Sequence, residues 1–346
     1  MDQRAEDILE KIIVHYIENA EPIGSRVLSK IIDQKISPAT IRNVMSDLTD
    51  MGFIEQPHTS AGRVPTDVGY RYYINKLMVN DKPAKKSSVK MKLVEPDDEQ
   101  HARLEDILLA ATIELSSLTN CTGIVMSPTL STSRLKNLQF VQLSSKQLLV
   151  VIITQIGMVH NKVVHVRSCP NQEDLNKMAA IIIDLFEGKP ISGIRDSLIK
   201  KLSTVQDEEN KLIVQAIRLG KKAFDLDTPG QLFITGRSKM CSFPEFTDQD
   251  KLKAVYKVFE DKTALTEILV DAMGNEGIKI NIGTENLHQG LDTCSVVAGT
   301  YSNHGYLLGS MGIVGPTRLN YPKVISAIQY STQKLAFSLG HILGNS

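Results

Sequence analysis

"ISPATIRNVMSDLTDMG" (36–52), followed directly by "FIEQPHTSAGRVPT" (53–66), is the stretch on which the fold turns. Its first half carries the signals of a short helix. Ser37 can cap it, Pro38 fits the first helical position, and Gly52 is placed to end it. Ile41, Val44, Met45 and Leu48 fall on one face at helical spacing. Ala39, Asn43, Ser46 and Asp50 point the opposite way, with Thr40 and Arg42 on the flanks. The second half begins as a strand, "FIEQP", and enters a loop bracketed by Pro57 and Pro65. Between the prolines lie small turn-forming residues, one imidazole (His58) and one guanidinium (Arg63). A plain surface turn has no need of that mixture.

Upstream, Ile8, Ile12, Ile13, Tyr16 and Ile17 recur at helical spacing and predict a first amphipathic helix. "AEPIGS" (20–25) breaks it through Pro22 and Gly24. Ser25 then caps a second short helix whose apolar face is Val27, Leu28, Ile31 and Ile32. "TDVGYRYYINKLM" (66–78) starts another helix after the loop. Three helices followed by a strand and a loop predict a winged helix-turn-helix, with the helix over 38–51 in the recognition position. Its outward face of small and amide residues can enter a DNA groove. An amide pairs with adenine, a guanidinium with guanine, and a small residue allows close approach.

The 346 residues are enough for two or three domains with real cores. Charged residues make up 23% and hydrophobic ones 42%, as in soluble globular proteins. No apolar run approaches the ~20 residues of a membrane span. "MDQRAEDILE" opens with charges and is not read as a secretory signal, so a cytoplasmic location is expected. Cys121, Cys169, Cys241 and Cys294 are far apart and suit reduced thiols. The net charge of zero names no partner. Residues 1–80 hold nine Lys/Arg against eleven Asp/Glu, which argues against a simple basic DNA-binding domain. The distribution matters more. Acidic residues concentrate in the first helix, while 58–76 sets Arg63, Arg71 and Lys76 against Asp67 alone.

Residues 79–100 are polar, lysine-rich in front and acidic behind, and read as a linker. A helix is expected around 103–118. Strand-like runs follow: "GIVMS", "LKNLQFVQL", "QLLVVIIT" and "VHNKVVHV". Residues 171–225 read as helical with two breaks, "QLFITG" (231–236) as a strand, and 248–260 as a helix. A helix at 264–272, strands near "IKINIG", "CSVVAGTYS" and "LLGSMGIVG", and a helix from about 322 to 343 close the chain. HExxH, P-loop, GxSxG and CxxC patterns are missing from the sequence. His160 and His165 fall on opposite faces of a strand, and "GSMGIVGPTR" (309–318) reads as a strand end and turn. No catalytic set, metal site or cofactor is expected.

"ATIRN", "PHTSAGRVPT", "EPIGS", "GYRYY", "INIGTEN", "CSVVAGTY" and "GIVGPTRLNY" together resemble the heat-inducible transcription repressor family HrcA along essentially the full chain. Val44 and Leu319 depart from the family pattern, where an acidic residue and Met are usual. The resemblance implies an α+β protein in three parts: an N-terminal winged helix, a GAF-like α/β domain, and an α+β dimerisation module inserted into it. The expected boundaries are 1–80 for the winged helix, 81–102 for a linker, 103–146 and 263–346 for the GAF-like domain, and 147–262 for the insert. It also implies a homodimer on an inverted-repeat double-stranded DNA operator upstream of chaperone genes, with a GroE-type chaperonin maintaining the active repressor. The expected DNA contacts are Ser37, Ala39, Thr40, Arg42, Asn43 and Ser46 at the recognition helix. Ser25 and Arg26 would meet phosphate at the second helix. His58, Thr59, Ser60, Gly62, Arg63 and Arg71 would act from the wing and the segment after it. The rival reading is a small-molecule-sensing regulator acting through the GAF-like domain.

Overall fold

The computed structural model describes residues 1–32, 36–58, 61–80, 104–130, 133–155, 157–204, 211–225, 230–274, 277–303 and 306–344. The expected linker over 81–102, with its lysines, lies outside the described residues, as do Thr59 and Ser60.

The N-terminal domain runs α1 (Gln3–Asn19), α2 (Ser25–Ile31), α3 (Pro38–Asp50), β1 (Ile54–Glu55), β2 (Val64–Pro65) and α4 (Asp67–Asn80). The apolar stripes of α1 and α3 meet in its core through Ile8, Ile12, Ile41, Met45 and Leu48. Ser37 caps α3 as expected, its hydroxyl accepting from the Thr40 N–H at 3.1 Å. Gly24, rather than Ser25, is the cap of α2, so Ser25 is its first helical residue. Gly24 takes the extended backbone of a cap position but offers no side-chain acceptor there. Gly52 takes φ +77°, the left-handed conformation that ends α3 without a Cβ penalty. β1 and β2 pair antiparallel, Ile54 opposite Pro65 and Glu55 opposite Val64.

The body begins with α5 (Leu104–Thr119) and β3 (Thr122–Met126). Next come β4 (Leu135–Ser144), β5 (Gln147–Thr154), β6 (Val159–His165), α6 (Gln172–Phe186), α7 (Ile191–Thr204) and α8 (Lys211–Ala223). The chain ends with β7 (Leu232–Thr235), α9 (Gln249–Glu260), α10 (Lys262–Met273), β8 (Ile278–Ile282), β9 (Cys294–Asn303), β10 (Tyr306–Pro316) and α11 (Tyr321–Gly344). The larger sheet has strand order β7-β3-β10-β9-β8, every neighbour antiparallel. Alternating side chains give it two buried faces. Val125, Val297, Met311 and Ile313 face α5 and α11, whereas Ile124, Met126, Val296 and Val314 face α9 and α10.

The second sheet has order β4-β5-β6 and packs on α6 through Leu138, Phe140, Val150 and Ile152. The chain leaves and rejoins the larger sheet at one stem. The Ser127 N–H donates to the Gln231 carbonyl and the Gln231 N–H to Ser127 Oγ, both at 2.8 Å. The excursion therefore spans the residues between Ser127 and Gln231, which shifts the expected 147–262 at both ends. β4 falls within the expected GAF-like part at 103–146, but it pairs with β5 rather than joining the larger sheet. β7 and α9, expected in the insert, belong to the larger sheet and its helical layer. The reason is physical: alternation shows that a strand has a buried face, not which strand lies beside it.

One apolar core runs from α1 and α3 through Tyr70 and Tyr73 into Tyr321, Ile325 and Ile328 of α11. The winged helix is thus packed onto the body. Its Tyr70 ring lies 6.0 Å, centroid to centroid, from that of Tyr321. All four cysteines are free, with burial pushing Cys121 and Cys294 up to about 12.

Candidate nucleic-acid interface

Helix α3 is anchored by Ile41, Met45 and Leu48, which are at most 5% exposed. That anchoring leaves Ser37, Ala39, Arg42, Asn43 and Ser46 exposed on its outward side, with Thr40 half-buried. Ser37 and Thr40 are occupied with each other, their hydroxyls 2.9 Å apart at the helix start. Val44 is partly buried against the core, so the departure from the family pattern falls on packing. Arg26 is exposed on α2 and Ser25 is half-buried.

The wing is stitched to the rest of the domain by backbone contacts. Ile23, in the "EPIGS" turn, exchanges two hydrogen bonds with Arg63, at 3.1 and 2.9 Å, and so adds a bridge beside the β1–β2 pair. Gly62 lies so close to this crossing that a Cβ there would sit 2.4 Å from the Ile23 carbonyl carbon. Gly62 is required by chain-on-chain packing, whatever it also does at DNA. The Arg63 Nε donates to Thr49 Oγ1 at 3.2 Å, laying the guanidinium over the end of α3. His58 is exposed, and its carbonyl accepts from the Ala61 N–H at 2.8 Å across the turn. Thr66 Oγ1 donates to the Gly52 carbonyl at 2.6 Å and accepts from the Gly69 N–H at 3.2 Å, tying the wing's return to both neighbouring helices.

Two of the three cations expected to make the wing segment positive are spent inside the protein. Lys76 donates to Glu6 at 3.1 Å, and Tyr72 Oη donates to the same carboxylate at 2.7 Å, clamping α4 to α1. Those bonds, the tyrosine's first, hold the Glu6 carboxyl below its usual range. Arg71 does not face the wing's open side. Its Nε donates to Glu285 Oε1 at 2.8 Å, and its Nη2 donates to the Ile280 carbonyl at 2.6 Å and to Glu285 Oε2. Arg71, expected to meet DNA, is here committed to the body, its partner Glu285 lying 214 residues along the chain. Asp67, the lone acid of that segment, makes the companion contact by accepting from the N–H and hydroxyl of Thr284 at 2.9 and 3.0 Å.

Among the described residues no group of three or more His, Cys, Asp or Glu could hold a metal, and no helix is long and apolar enough to cross a membrane. His165 lies 3.0 Å from Gln147 Nε2 rather than beside His160, which pairs across from Ile152.

Three helices, a two-stranded wing and a fourth helix, with α3 turned outward, define a winged helix-turn-helix DNA-binding protein. Residues 1–78 match the family described as "Winged helix-turn-helix transcription repressor, HrcA DNA-binding", and residues 105–325 match "HrcA protein C terminal domain". The chain belongs to the HrcA family of heat-inducible transcription repressors. It is 33% identical over 344 residues to the heat-inducible transcription repressor HrcA of Pelotomaculum thermopropionicum, covering 99% of this chain and 98% of that one. It is 34% identical over 345 residues to that of Carboxydothermus hydrogenoformans, covering 100% and 99%. Among solved structures, the crystal structure of a hypothetical protein at 2.2 Å resolution has the same overall fold, with TM-score 0.64, 22% identity and 99% coverage of both chains.

Proposed function

We propose that this chain represses chaperone operons by binding, as a homodimer, an inverted-repeat operator in double-stranded DNA. The observation that carries the reading is the outward face of α3, where Ala39, Arg42, Asn43 and Ser46 are exposed beside a wing held by Arg63. A helix entering the major groove can use this composition: small residues for approach, an amide and a guanidinium for base edges. Arg26, with Ser25, is placed to meet phosphate, and the wing presents His58 and Arg63 to the backbone or the minor groove.

Support for the dimer comes from the three-stranded sheet. α6 covers one face, while the other carries Val141, Leu149 and Val163 in one cross-strand row. Val141 is 38% exposed and Val163 46%. A second copy meeting this face would bury it symmetrically, and a two-fold dimer matches a palindromic operator. The five-stranded sheet with its two helical layers would be the GAF-like part that the family resemblance implies. A GroE-type chaperonin that refolds heat-released repressor would close a feedback loop on chaperone supply.

Gel shifts with the full chain test the reading at two salt concentrations. An inverted-repeat operator from upstream of a chaperone operon should bind roughly 10³-fold or more tightly than a scrambled duplex. Equal affinity for the two would remove the repressor reading. Dissociation of the repressor on modest warming, and its recovery with chaperonin and ATP, tests the feedback.

A further inference from the structure

The winged helix is fastened to the body by side chains that the DNA-facing surface does not use. Asp67 opens α4 and accepts twice from Thr284. Arg71, one turn on, grips the Glu285 carboxylate and the Ile280 carbonyl. Glu285 is oriented for this by accepting from the Ile282 N–H at 2.9 Å. The approach is close: a Cβ on Gly283 would lie 2.1 Å from Asp67 Oδ2. A second fastening lies at the end of α1, where Arg318 Nη1 donates to the Ile17 carbonyl at 3.1 Å. Arg318 is itself braced by Glu245.

β2 of the wing ends at Pro65, two residues before Asp67. The clamp at Asp67 and Arg71 therefore mounts the wing itself, not only the domain. We infer that Asp67, Arg71 and Glu285 are positioning residues for operator binding: they fix the direction and separation at which two winged helices meet DNA, without touching it. This rests on the dimeric repressor reading above. In a bivalent complex the second contact gains from an effective concentration set by geometry. A stiff mount concentrates that gain at one half-site spacing, whereas a loose mount spreads it over many.

The test uses the full-length protein on three duplexes: the operator, the operator with one half-site moved by about five base pairs (half a helical turn), and a single half-site. The wild type should prefer native to shifted spacing by about 10²-fold. Arg71→Gln and Glu285→Gln should each lower affinity for the native operator about tenfold and shrink that preference below about tenfold. Single half-site affinity and its salt slope should stay unchanged, and the double variant should be no worse than either single one. Glu285→Gln keeps the side chain's shape, so circular dichroism matching the wild type confirms that loss of spacing preference is not loss of fold.

Two results overturn the inference. In one, both variants keep the wild-type spacing preference. In the other, Arg71→Gln alone weakens half-site binding and lowers the salt slope by about one, which would make Arg71 a phosphate contact. A wild type with no preference for the inverted repeat over one half-site would instead bring down the dimeric reading, and the inference with it.

Discussion

Helices α3 and α4 flank the same wing and carry similar polar residues, yet they do opposite work. α3 buries one narrow stripe and leaves Ala39, Arg42, Asn43 and Ser46 exposed. α4 is enclosed on several sides. Tyr70, Tyr73 and Ile74 are buried, Tyr72 and Lys76 are bonded to α1, and Asp67 and Arg71 to the body. A polar residue on a helix is thus open to a ligand only when no other part of the chain has claimed it. Arg42 and Arg71 are alike as residues; what separates them is that Glu285 stands opposite one of them.

The two helices part most clearly when an alanine is put on each. Alanine is the better helix former at either position, and on propensity alone both changes would stabilise. At Gly69 in α4 a Cβ would lie 2.2 Å from the Phe53 carbonyl oxygen, which is backbone and cannot step aside. Gly69→Ala should therefore destabilise by about 2–3 kcal/mol. Ser46→Ala on the exposed face of α3 should move stability by less than about 0.5 kcal/mol. Thermal unfolding of the two variants measures this directly. A Gly69→Ala protein as stable as the wild type would show that α4 is not seated as tightly as its contacts state.

DNA binding separates the helices next. Asn43→Ala should cost about 1–3 kcal/mol at the operator and relax base preference, because an amide reads adenine through two hydrogen bonds. Selection from a library of operator variants checks this. Undiminished discrimination would exclude Asn43 as a reader. Arg63→Ala is a smaller, sequence-independent loss that flattens the salt dependence by about one charge. An unchanged slope would mean that its bond to Thr49 is its whole role.

How much of this could be read in the sequence divides along the same line. α3 was legible because every signal for it is local: the Ser37 cap, Pro38 at the first position, the 3.6-residue stripe and Gly52 beyond the end. The wing was legible from its prolines and small residues, although the reason for Gly62 was not, since the Ile23 backbone it meets lies 39 positions earlier. Lys76 and Arg71 looked like part of a basic wing because Glu6 and Glu285 are remote in sequence. The expected edges at 147 and 262 differ from the observed stem at Ser127 and Gln231 for the same reason. β4 alternates as any half-buried strand does, and only its pairing with β5 assigns it. Local periodicity finds elements; it does not find their partners.

Acid titration offers the finest test of the same contrast. Burial raises the Glu285 carboxyl, but hydrogen bonds from Arg71 and the Ile282 N–H outweigh it, and the group ends below its usual range. A carboxylate depressed in the folded state adds stability that is complete above its unfolded value of about 4.3. That stability fades as pH falls through the lower folded value. Glu285 is about a third exposed, so the contribution is modest and screened by salt. Between pH 5 and 3 the wild type should lose stability more steeply than Glu285→Gln, which has no proton to take up at that position. Glu6→Gln should flatten the same curve, because the hydrogen bonds from Tyr72 and Lys76 lower the Glu6 carboxyl too. The two should differ in where the protein opens. Hydrogen exchange in acid should quicken first at 280–286, the end of β8 and the turn after it, when Glu285 protonates, and along the α1–α4 contact when Glu6 does. If Glu285→Gln left both the acid slope and exchange at 280–286 unchanged, the ion pair would hold no part of the seam, and α4 would be seated by its apolar face alone.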